Sequence, residues 1–137
     1  MSKITEELVL KNMEDVTLAQ QGLKKEAEVR KVTVTFMADT GVHFNTLTED
    51  VCKKLGLSKT GSRICKLADG VEKSFDISSQ AEIWWQDRSI PMPFIIVPEG
   101  ATNVFSVTAM ELLDLMPDPI QGKLVGVHGD KYVTMLE

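Results

Sequence analysis

The sequence predicts an all-β domain, β-rich with two or three short helices. Three observations point to it. Apolar residues alternate with polar ones in several short runs, the period of a half-buried strand. Turn-forming residues separate these runs, and Asp69-Gly70 between two of them is a strong hairpin signal. Helical spacing is confined to stretches too short and too few for an alternating strand–helix sheet. The chain has 137 residues, 43% hydrophobic and 26% charged, which is enough apolar material for one domain with its own core.

Taken in order, residues 7–10 form a short β-prone piece. Asn12 can cap a brief helix whose first turn holds Glu14 and Asp15, where the helix dipole favours acids. Met13, Val16 and Ala19 give that helix an apolar side, and Gly22 ends it. Residues 24–28 are a charged loop. The segment 1–28 as a whole is expected to be an extension that covers a sheet edge or a subunit interface, with 29–137 as the core. Val32, Val34, Phe36 and Ala38 alternate in a strand over residues 29–38 that becomes fully buried near Met37. Thr48, Glu49 and Asp50 then open a helix, Lys53 and Lys54 occupy its last turn, and Gly56 stops it.

Residues 63–67 and 71–77 pair around Asp69-Gly70. Residues 82–85 and 90–97 make a second hairpin through 86–88, and Pro91 and Pro93 suit an edge strand. Trp84 and Trp85 must face opposite sides, one toward the core. Val104-Phe105 is a short strand. A capping box, Thr108 with Glu111, begins a helix over 108–115 that stops before Pro117. Asp118-Pro119 and Gln121-Gly122 are turns, and residues 123–127 and 131–136 read as a terminal hairpin through Gly129-Asp130.

Composition excludes several classes of function. A net charge of −5 and the lack of a Lys/Arg-rich run argue against nucleic-acid binding. No apolar run approaches membrane-span length, and the first residues lack the apolar stretch of a signal peptide, so a cytoplasmic protein is expected. Cys52 and Cys65 are too few for a disulfide framework and read as free thiols. With His43 and His128 they match no zinc spacing, and nothing supports a Cys–His nucleophile or a phosphate-cradling loop. Neither metal nor cofactor is expected.

The informative stretch is Asp39-Thr40-Gly41. An apolar strand runs straight into a carboxylate, which at the end of a buried strand must be hydrogen-bonded, paired or desolvated. Gly41 allows a sharp turn and brings a backbone N–H toward that carboxylate, and Thr40 adds a hydroxyl that can fix the loop. A plain Asp/Gly turn in a β protein would read the same over three residues. The surroundings carry more. With apolar residues before Asp39 and Leu47 after it, the stretch resembles the Asp-Thr-Gly strand and loop of retropepsin-like (clan AA) aspartic proteases. Residues 49–57, Leu67-Ala68-Asp69-Gly70, and 98–100 through 107–113 to Asp118-Pro119 are similar to that clan's microbial single-domain branch, and residues 10–22 to its N-terminal extension.

The resemblance implies half of a closed β-barrel, completed as a homodimer. Carboxylate-catalysed peptide hydrolysis uses two acids sharing one proton, and this chain holds a single Asp-Thr-Gly. A twofold axis would supply the second Asp39. The resemblance makes Asp39 the catalytic acid/base, gives loop support to Thr40 and Gly41, and makes Ala68, Asp69 and Gly70 the tip of a flap closing over a peptide substrate. Two positions depart from the family pattern. Val42 stands where a small residue is usual, and Ser106 replaces the glycine of the apolar-apolar-Gly signature that lies under the Asp loop. They open the alternative of a weak or inactive dimeric peptide-binding module, beside a third reading as a structural β-domain with an incidental Asp-Thr-Gly.

Overall fold

The computed structural model describes residues 3–136 and is β-rich, with three short helices. Strand β1 (Ile4–Asn12) leads into helix α1 (Met13–Gln20), and a 3₁₀ turn at Glu26–Glu28 precedes β2 (Lys31–Asp39). Then come β3 (Thr46–Thr48), α2 (Glu49–Leu55), β4 (Lys59–Lys66) and β5 (Glu72–Ser78). The hairpin β6 (Ala81–Trp85) and β7 (Arg88–Met92) is followed by β8 (Ile95–Val97) and β9 (Val104–Ser106). Helix α3 (Val107–Leu112) and the hairpin β10 (Leu115–Asp118) and β11 (Lys123–Gly126) close the chain.

Two sheets enclose the core. One runs β7-β6-β1-β2-β9, the other β3-β8-β5-β4, and β10-β11 stands as a separate ribbon. The β2–β9 and β3–β8 pairs are parallel. Phe36 of β2 lies at the centre, its ring 6.3 Å from that of Phe94 and 6.1 Å from that of Phe105. Leu8, Leu10, Ile83, Leu47 and Leu55 fill the space around them, all fully buried. Burying such side chains supplies about 1.5–3 kcal/mol each, so this cluster dominates stability.

Much of the expected local structure is present. The Asp69-Gly70 hairpin forms between β4 and β5, with Gly70 at φ +84°. Trp85 is buried while Trp84 is half-buried, its indole N–H donating to Glu82 Oε1 at 2.6 Å. Pro91 lies on β7, an edge strand as its missing N–H requires. Gly56 ends α2 in the left-handed region at φ +68°.

Five expectations are corrected. The first strand covers no sheet edge; β1 lies between β2 and β6 in the middle of the larger sheet, because Ile4, Leu8 and Leu10 alternate into the core. Met37 and Ala38 are only half-buried, since they face an open cleft. The expected strand 90–97 breaks at Pro93, which has no N–H to continue the ladder, and β8 crosses into the other sheet. The last helix is capped by Ser106 rather than Thr108, and it ends early because Asp114 takes φ +56° and sends Leu115 into β10. The terminal hairpin forms with an earlier partner. Asp118 accepts from the Ile120 N–H at 2.9 Å and closes a tight turn that pairs β11 with β10, leaving only a His128–Lys131 bridge of the expected pairing.

The N-terminal segment is tied down by polar groups that it buries. The Asn12 side chain accepts from the Asp15 N–H at 3.0 Å and donates to the Leu55 carbonyl at 2.7 Å, joining the start of α1 to the end of α2. Buried Asp15 takes Arg30 Nε at 2.8 Å, Arg30 Nη2 at 3.0 Å and Lys24 Nζ at 2.7 Å. The Arg30 hydrogen bonds outweigh the cost of burial and, with Lys24, hold the Asp15 carboxyl well below the usual carboxylate range. A carboxyl depressed in the folded state stabilises the fold above its unfolded value, near 4, and loses that contribution as acid titrates it. Asp15→Asn is therefore expected to destabilise the protein by about 2–4 kcal/mol at neutral pH. In urea melts the gap between wild type and variant should narrow below about pH 4.

Candidate active site

The site is built where two parallel strands end together. Met37, Ala38 and Asp39 of β2 are in register with Val104, Phe105 and Ser106 of β9. On β9, Phe105 and Ser106 are wholly buried and Val104 is half-buried. Asp39 is half-buried, and its Oδ1 accepts from the Gly41 N–H at 2.9 Å. A Cβ added to Gly41 would stand 3.3 Å from that same oxygen, so glycine leaves room for the carboxylate to be held by backbone. Thr40 and Gly41 are exposed at the tip of the turn.

Residues after the turn are fixed by a second set of bonds. The Val42 N–H reaches the Asp39 carbonyl at 3.3 Å, and the Val42 carbonyl accepts from the Val107 N–H at 2.8 Å. Val42 is half-buried and is accommodated at the start of α3. Ser106 is fully buried. Its N–H donates to Asn45 Oδ1 at 2.8 Å, and its Oγ accepts from the Ala109 N–H at 3.1 Å as the cap of α3. The hydroxyl that replaces the expected glycine thus has a structural task of its own. Thr46 Oγ1 accepts from the Val104 N–H and donates to the Thr102 carbonyl, both at 2.9 Å, while Asn103 Oδ1 accepts from the Thr48 N–H at 2.9 Å.

Asp39, Thr40, Gly41, Val42 and Ser106 are therefore brought together. Ala68, Asp69 and Gly70 sit elsewhere, at the tip of the β4–β5 hairpin, where Asp69 Oδ1 accepts from the Val71 N–H at 3.0 Å. The shaft of this hairpin meets the loop after Asp39 through the Arg63 guanidinium, 4.8 Å from the centre of the Phe44 ring. Its Ile64 and Val71 side chains are exposed. A cleft of about 420 Å³ opens on Asp39 and Thr40, lined also by Met37, Ile4, Pro117 and Pro119. A larger cavity of about 610 Å³ lies between α1 and the base of the β4–β5 hairpin and includes none of the Asp39 turn.

The remaining chemistry-bearing side chains are dispersed. Cys52 is buried in α2, and burial pushes its thiol up to about 11, which leaves it protonated and poorly nucleophilic. Cys65 lies on β4, His43 in the loop after Asp39, and His128 beyond β11 against Asp114. Among the described residues no group of His, Cys, Asp and Glu stands close enough to hold a metal ion. Sequence reasoning missed Asn45, which stands among other polar residues, His43, Thr46 and Thr48, and carries no local signal of its role. Asn103 and Thr46 gave no signal, because their partners lie more than fifty residues away.

A family model described as aspartyl protease matches residues 26–110, and the chain belongs to that family. No curated protein is similar enough to this chain to count as a relative. Among solved structures, the chain is similar to the retroviral protease-like domain of Ddi1 from Leishmania major, with 13% identity and a TM-score of 0.57 over 91% of this chain and 88% of that one. That likeness is one of fold, and the fold is retropepsin-like.

Two substitutions probe the clamp. Asn45→Ala leaves the buried Ser106 N–H without its acceptor and is expected to cost about 1–3 kcal/mol. Ser106→Ala keeps that bond but removes the α3 cap, at about 1 kcal/mol. Chemical denaturation monitored by Trp fluorescence measures both, and Asn45→Ala should be the more damaging.

Proposed function

We propose that this chain is one subunit of a homodimeric aspartic endopeptidase. The observation that carries the reading is the Asp39 turn. A half-buried carboxylate, gripped by the Gly41 N–H, stands at the mouth of a cleft with Thr40 exposed beside it. Two such turns facing across a twofold axis would place two Asp39 carboxylates together, and like charges about 3 Å apart share one proton. The ionised carboxylate takes a proton from water as the oxygen attacks the scissile carbonyl carbon. The protonated one donates to the carbonyl oxygen. The tetrahedral intermediate then breaks its C–N bond as the amine nitrogen is protonated, and the pair returns to its starting state. Thr40 braces the two turns, and the Ala68-Asp69-Gly70 hairpin closes over an extended peptide.

Support for this reading comes from family membership, from the intact Asp39-Thr40-Gly41, and from the hydrogen bonds that hold it. Free Cys52 and Cys65 suit a reducing cytoplasm, and among the described residues no helix is long and apolar enough to cross a membrane. A dimeric module that binds peptides without cutting them is the second reading, favoured by Val42 and Ser106 where the family has smaller residues.

Incubation with a fluorogenic peptide library separates the two. The endopeptidase reading expects cleavage that a statine-type inhibitor blocks and that falls by at least about 10³-fold in Asp39→Asn. If wild type and Asp39→Asn bind the same peptides equally and neither cuts, the binding-module reading replaces it.

A further inference from the structure

At the end of α3 away from the Asp39 turn, a buried arginine organises the segment 127–133. Arg88 is 3% exposed, and its guanidinium lies 5.1 Å from the ring centres of both Trp85 and Tyr132. It donates to the Leu113 and Asp114 carbonyls at 3.0 and 2.9 Å, and to the Gly129 and Lys131 carbonyls at 2.8 and 3.3 Å. The Asp114 carboxylate accepts from His128 Nδ1 at 2.8 Å and from the Val133 N–H at 3.1 Å. Burial alone would raise the Asp114 carboxyl, but His128 and the Val133 N–H hold it below the usual carboxylate range. The segment 127–133 is thereby strapped across the end of α3. Gly126 permits the close approach, since a Cβ there would collide with the Gly129 carbonyl.

This strap meets carbonyls that a helix end leaves without partners. Tyr132 Oη donates to the Leu112 carbonyl at 2.8 Å, and Arg88 takes those of Leu113 and Asp114. The other end of the same six-residue helix is the clamp of the candidate active site, where Val107 N–H bonds the Val42 carbonyl and Ser106 bonds Asn45. A helix of six residues is less than two turns long, so its two ends stand only about 9 Å apart. We propose that segment 127–133 is a latch for the Asp39 turn: docked on Arg88 and Asp114 it fixes the far end of α3, and α3 carries that docking to Val42 and Asn45. Tyr132 and His128 are then positioning residues that act on the turn through the helix.

Amide hydrogen exchange on the full chain tests this without reading cleavage, so its outcome is separate from that of the peptidase reading. Tyr132→Phe removes only the donor to Leu112, and Gly126→Ala pushes the strap away. In both variants exchange should quicken by about tenfold at Val127 and Val133, and by a comparable factor at Ser106, Val107 and Ala109. Amides at Leu67 and Gly70 in the flap hairpin, and at Val34 and Phe36 in β2, should keep their wild-type rates. Quickening confined to 127–133, equal quickening in β2, or no change in either variant overturns the proposal.

Discussion

The structure depends on the parallel pairing of two short strand ends, Met37–Asp39 against Val104–Ser106. Parallel pairing brings residues far apart in sequence to the same end of a sheet, and here that end is where the polar groups collect. Asp39 leaves one strand into a turn while Ser106 leaves the other into a helix. Hydrogen bonds from Gly41, Val42 and Asn45 then knit the two exits into one unit. Without this pairing Asp39 would be an ordinary surface acid. With it, the carboxylate has a fixed place relative to the barrel core, since Phe105, one residue before Ser106, packs against Phe36.

Three sets of buried polar groups each join segments that the sheets leave loose. Asn12 and Asp15 moor the first helix to the second and to the start of β2. Asn45 and Ser106 moor the Asp39 turn to α3. Arg88 and Asp114 moor the last residues to the same helix. In each case a fully or nearly buried side chain satisfies backbone groups at an element end, where an unpaired N–H or C=O would be costly. The core supplies the bulk of the stability, and these bonds choose which arrangement of loops accompanies it.

Local chemistry was legible in the sequence wherever the determinant and its effect lie a few residues apart. Asp69-Gly70 gave its hairpin, Gly56 its helix stop, Asn12 its cap, and Trp84-Trp85 their opposite faces. The candidate catalytic turn was legible for the same reason, because Gly41 serves Asp39 from two residues away. Partners distant in sequence were not. Nothing in residues 4–12 says that they pair with 31–38 on one side and 81–84 on the other, so β1 read as a cover rather than a central strand. The β10–β11 ribbon competed with a later turn, Gly129-Asp130, whose local signal was as good. Ser106 was visible as a departure from the family's glycine, yet its bond to Asn45, sixty-one residues away, could not be read from either residue.

The central claim is that one Asp39 is half of a catalytic unit and that a second copy of the chain supplies the rest. It is tested most directly by mixing wild-type subunits with Asp39→Asn subunits at constant total concentration, under conditions where subunits exchange freely, and measuring peptidase activity against composition. A site made of two Asp39 carboxylates predicts that activity falls as the square of the wild-type fraction, because only wild-type pairs cut. Activity that falls in simple proportion to the wild-type fraction would mean that each chain works alone, and would contradict the account.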